Sequence, residues 1–78
     1  MNAEFWYQSA EIAQLNDGVL YFEVTNEQKE YMEAHIDEVD EILGRKFGGE
    51  DEIVPHTIRF EKYWNGIEEC YTCEAYWN

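Results

Sequence analysis

The chain has 78 residues, with 18 Asp plus Glu against 5 Lys plus Arg and a formal net charge of −13. That length holds one domain, read as 1–78, while 45% apolar and 17% aromatic residues exclude a disordered acidic tail. Lys and Arg are too few to grip a nucleic-acid backbone or an anionic membrane, so neither is expected as a direct partner.

The N-terminus, Met1-Asn2-Ala3-Glu4, lacks the basic start and apolar run of a signal peptide. The longest apolar stretch is Phe5-Trp6-Tyr7, far short of a membrane span, and a cytoplasmic location is expected. A strand is predicted from about Ala3 to Leu15, with Trp6, Ala10 and Ile12 facing inward. The competing reading is a short helix over Ser9 to Leu15, since Ala-Glu-Ile-Ala-Gln-Leu are good helix formers. Asn16-Asp17-Gly18 reads as a three-residue hairpin loop. It leads into a strand, Gly18 to Val24, with Leu20, Phe22 and Val24 inward.

A helix follows. Thr25 is a good N-cap, and Gln28 completes a capping-box pattern. Met32, Ile36, Val39, Leu43 and Phe47 form one apolar stripe, with Ile42 alongside. Gly48-Gly49 ends the helix, and Arg45 and Lys46 suit its negative end. Gly44 in the last turn weakens it by roughly 1 kcal/mol.

Ile53 to Trp64 and Ile67 to Trp77 read as two strands joined by a type I′ turn at Asn65-Gly66. That turn places Trp64 opposite Ile67. It pairs Phe60 with Tyr71, Ile58 with Cys73, His56 with Ala75 and Val54 with Trp77 on an apolar face. Lys62 with Glu69 is the charged exception there. The other face pairs Tyr63 with Glu68, Glu61 with Cys70, Arg59 with Thr72 and Thr57 with Glu74. The predicted fold is α+β: a two-layer ββαββ domain with one helix on one face of a four-stranded antiparallel sheet. Its expected core is Trp6, Ile12, Leu20, Phe22, Val24, Met32, Ile36, Val39, Leu43, Phe47, Ile58, Phe60, Tyr71, Cys73 and Trp77.

No nucleophile triad, phosphate loop or dinucleotide fingerprint is present, and an enzyme is not expected. Neither a cofactor nor a bound metal is expected. Cys70 and Cys73 have odd spacing on a strand, so they point to opposite faces, whereas tetrahedral zinc needs both on one side. Cys73 is expected in the core and Cys70 as a partly exposed thiol. His35 and His56 are read as hydrogen-bonded residues at the core margin.

The acids carry the information. Glu27, Glu30, Glu33, Asp37, Glu38, Asp40 and Glu41 fall on the polar side of the predicted helix. Glu30, Glu33, Asp37 and Asp40 form a ridge with neighbours roughly 5–6 Å apart, close to the separation of phosphates along a strand. Glu50-Asp51-Glu52 continues the excess. A second feature is the outer sheet face, expected to carry Tyr7, Glu11, Tyr21, Glu23, Glu61, Tyr63, Glu68, Glu74 and Tyr76. Its tyrosines, Tyr21, Tyr63 and Tyr76 among them, can stack on Arg while the acids pair with Lys and Arg.

In size, net charge, ridge and acidic loop, the chain resembles the small acidic inhibitors encoded by phages and mobile elements. Those inhibitors mimic nucleic acid and block restriction enzymes, uracil-DNA glycosylase or CRISPR effector complexes. The resemblance is one of class and rests on no shared motif. It implies an anti-CRISPR or anti-restriction protein, working in the host cytoplasm, that fills the basic nucleic-acid groove of its target. The partner would be a basic protein, and the chain itself a monomer or weak homodimer. Two other readings are an immunity protein or antitoxin that neutralises a basic toxin, and a non-catalytic binding module using the Tyr-rich sheet face.

Overall fold

A computed structural model describes residues 3–78; Met1 and Asn2, part of the stretch read for a targeting signal, lie outside them. The described residues are α+β, with a four-stranded antiparallel sheet and three α-helices rather than one. A 3-10 turn (Ala3–Trp6) leads into α1 (Tyr7–Glu11), followed by β1 (Leu15–Asn16), β2 (Val19–Val24), α2 (Asn26–Ala34), α3 (Ile36–Phe47), β3 (Thr57–Trp64) and β4 (Glu69–Tyr76). The sheet order is β1-β2-β4-β3, so the C-terminal strand is inserted between its predecessors. Among the described residues, no helix is long and apolar enough to cross a membrane.

The predicted N-terminal strand is helical instead. Helical spacing places Trp6 and Ala10 one turn apart, and both are fully buried. Trp6 stacks on Phe22 of β2, with ring centroids 6.1 Å apart. Ile12, expected inside, is 87% exposed, because helical geometry turns it away from Trp6 and Ala10. Of the N-terminal segment only Leu15 and Asn16 pair with β2, and the loop joining the two strands is two residues rather than three. Asp17 and Gly18 both take positive φ (53° and 78°), as a tight turn of opposite hand requires.

The capping box at Thr25 and Gln28 forms in both directions. The predicted single helix, however, breaks at His35 (φ −129°, ψ 46°). The break rotates the second half relative to the first, so the apolar stripe is not straight. Met32, Val39 and Leu43 are fully buried, whereas Ile36 at the joint is 39% exposed.

The β3–β4 hairpin forms in a register two residues from the one predicted: Trp64 opposes Glu69, and Phe60 opposes Cys73. The cause is Asn65. It does not take positive φ. Its side-chain oxygen instead accepts from the amides of Ile67 and Glu68, both at 2.8 Å, closing a four-residue loop. A two-residue slip keeps every side chain on its face, so the division into apolar and polar faces survives. Ile53 and Val54 lie before the strand and are exposed, and His56 is exposed at its end rather than facing inward. The Lys62–Glu69 ion pair still forms, diagonally, at 3.3 Å.

The core joins Trp6 and Ala10, Leu20, Phe22 and Val24, Met32, Val39 and Leu43, and Cys73 and Ala75. Phe47, Ile58, Phe60, Tyr71 and Trp77 pack around it. The buried residues of all three helices therefore meet one sheet face, and among the described residues no helix contributes a core residue to the other, called here the helix-free face.

Candidate functional site

The acids of the predicted ridge lie on two helices. Glu27, Glu30 and Glu33 belong to α2, and Asp37, Glu38, Asp40 and Glu41 to α3. Single-helix spacing therefore holds within each pair, Glu30/Glu33 and Asp37/Asp40, but not across His35. All of these are exposed except Asp40, which is half-buried. Burial, and then the charge of Asp37, raise the Asp40 carboxyl above the usual aspartate range.

A small cluster holds the joint. The His35 ring stacks on Tyr31 at 4.1 Å, and its Nδ1 donates to the Tyr31 carbonyl at 2.9 Å. The Tyr31 hydroxyl in turn donates to Glu38 across the break, at 2.9 Å. That bond to Glu38 is the main reason the Tyr31 phenol is pushed above its usual range. Sequence reasoning missed Tyr31 and gave His35 only a margin role. No Gly or Pro marks the break.

Glu50, Asp51 and Glu52 are exposed on the loop after α3, and the loop is seated by glycines. A Cβ at Gly44 would lie 2.8 Å from the carbonyl oxygen of Glu52, and one at Gly48 would overlap that of Ile53. These positions, one turn apart on α3, let the loop backbone lie directly on the helix. Ile53 then donates to the Gly48 carbonyl (3.2 Å) and accepts from the Trp77 indole (2.6 Å). Gly44, read from sequence as a weak point, is where the acidic loop docks.

The few cations are largely consumed internally. Lys29 pairs with Glu33 at 2.9 Å and lies over the Tyr71 ring. Arg45 pairs with Glu41, Lys46 with Glu11 and Lys62 with Glu69. Among the described residues, none of Glu27, Glu30, Asp37, Asp40, Glu50, Asp51 and Glu52 is in an ion pair.

The helix-free sheet face carries Tyr21, Tyr63 and Tyr76, one from each of three strands, as expected. Tyr7 and Glu11 leave this face for α1, and Glu68 leaves it for the hairpin loop. Tyr21, Glu74 and Arg59 form one row across β2, β4 and β3, and Glu23, Thr72 and Glu61 the next. The Tyr76 hydroxyl donates to Glu74, which raises its own proton affinity. Tyr63 is pushed up to about 12, first by desolvation and then by its hydrogen bond to Glu23. Tyr21 is half-exposed.

Cys70 and Cys73 are free thiols on opposite faces. Cys73 sits in the core, where burial pushes its thiol up to about 12. Cys70, expected to be partly exposed, is buried opposite Tyr63 and accepts from the Asn65 side-chain amide at 3.2 Å. His56 bonds Thr57 and the Asn78 carbonyl. Among the described residues, no group of three or more His, Cys, Asp or Glu could hold a metal ion. The chain matches no protein-family model, no curated protein and no solved structure.

Proposed function

We propose that this chain is a small acidic inhibitor that binds the basic nucleic-acid groove of a defence nuclease or CRISPR effector and blocks it by competition. The observation that carries this reading is the disposition of charge. Apart from the half-buried Asp40, the carboxylates of α2, α3 and the Glu50–Glu52 loop face solvent, while four of the five cations form internal ion pairs. Gly44 and Gly48 seat the loop against α3, so its acids and those of that helix belong to one packed unit. A surface of this kind offers Lys and Arg of a groove many partners and few repulsions.

The test is affinity capture from lysates containing candidate effectors, at low and high salt, read by mass spectrometry. Capture of a nucleic-acid-binding effector that loses its DNA or RNA supports the reading. Reversing charge at Glu30, Glu33, Asp37 and Asp40 is expected to abolish capture with the fold intact. A second reading rests on the half-exposed Tyr21 on the helix-free face. Capture that survives those reversals but is lost on substitution of Tyr21, Tyr63 and Tyr76 assigns binding to the sheet.

A further inference from the structure

We infer that the free edge of β3 is a docking edge for a second copy of this chain, paired antiparallel in one register. β3 is an edge strand of eight residues. Among the described residues, no backbone hydrogen bond reaches it except those of the β4 ladder. An edge of this length presents a row of open donors and acceptors.

Symmetry limits how two such edges can meet. The two-fold axis of an antiparallel pair of identical strands runs perpendicular to the sheet, so outer face continues into outer face. Directly opposed residues share a face. Odd-numbered residues of β3 must therefore oppose odd-numbered ones, and even oppose even.

Two registers then pair seven of the eight residues. In one, Glu61 lies on the axis and faces itself, which is repulsive. In the other, Phe60 lies on the axis, and Arg59 opposes Glu61 of the partner subunit, twice by symmetry. Ile58 then opposes Lys62, and Thr57 opposes Tyr63. Moving one step further in either direction sets Arg59 opposite Arg59 or Lys62 opposite Lys62. Only the Phe60-centred register makes the edge complementary to itself.

Arg59 supplies the independent support. The other four cations each form an ion pair within the chain. Arg59 forms none among the described residues, although it is exposed and the chain carries 18 acids. The Phe60-centred register gives it Glu61 of the partner subunit, on the helix-free face, and gives Phe60 an aromatic contact on the other. This edge proposal stands independently of the inhibitor reading.

Sedimentation velocity over micromolar to millimolar concentrations tests it, with circular dichroism to confirm folding. The full chain is expected to dimerise. Arg59→Glu and Glu61→Arg are each expected to raise the dissociation constant about tenfold. Combining the two is expected to restore it. If a reversal unfolds the domain, Arg59→Cys/Glu61→Cys reads the register by oxidation to a disulfide-linked dimer. A chain that stays monomeric throughout overturns the proposal, as does a dimer unmoved by either reversal, a double variant no tighter than the singles, or oxidation that leaves only monomer.

Discussion

Asp40 is the acid of the predicted ridge whose environment works against its charge. Its raised carboxyl value means that the folded chain holds this proton more tightly than the unfolded chain does. The stabilisation from that proton is complete below the ordinary aspartate range and is lost as pH rises through the raised value. At neutral pH the ionised group is a net cost. Asp40→Asn is therefore expected to melt higher than the parent at pH 7, with the difference vanishing near pH 3; thermal melts across that range check it. The two thiols make a second case. Cys73 is inert by burial, and Cys70 is shielded beside Tyr63 and Asn65. Neither is expected to react with a thiol reagent until the domain unfolds, and fast labelling of the native chain would contradict this. The opposite faces of these cysteines were legible in the sequence, because strand alternation depends only on an odd or even count. The burial of Cys70 was not, because it depends on how the Asn65 loop closes.

At the scale of elements, the capping box and the apolar stripe were legible because each is a local pattern. The break at His35 was not, because no local residue forces it. It is held by stacking on Tyr31 and by a bond from Tyr31 to Glu38. Tyr31→Phe is expected to lower stability by about 1 kcal/mol in denaturant unfolding, without disordering either helix. At the N-terminus, Trp6, Ala10 and Ile12 fit the alternating pattern of a strand. Trp6 and Ala10 also fit one helical turn, and stacking of Trp6 on Phe22 decides between them. The hairpin is legible in the sequence, but its strands are shorter than the pattern predicts (Thr57–Trp64 and Glu69–Tyr76) and pair two residues out of register, since Asn65 spends its side chain on a wider loop. The glycines of α3 yield the sharpest test at this scale. Gly48→Ala is expected to destabilise by about 2 kcal/mol through overlap with the Ile53 carbonyl. Gly44→Ala should cost less, because better helix propensity offsets part of a milder overlap. Both would shift the loop that carries Glu50, Asp51 and Glu52.

For the whole molecule, a net charge of −13 on 78 residues is a standing self-repulsion. The melting temperature is expected to rise as salt screens it, and a flat response would mean that the carboxylates are better compensated than the ion pairs indicate. The same charge, facing a basic groove, becomes attraction, and complexes so formed weaken with salt. The most direct measurement is the affinity of a captured effector for this chain, with its groove empty and with the groove filled by its own DNA or RNA, at about 0.05 M and about 0.3 M salt. The expected result is tight binding to the empty groove, loss of binding when nucleic acid occupies it, and at least about a tenfold weakening at the higher salt. Equal affinity for the filled and empty groove, unchanged by salt, would contradict competition by charge.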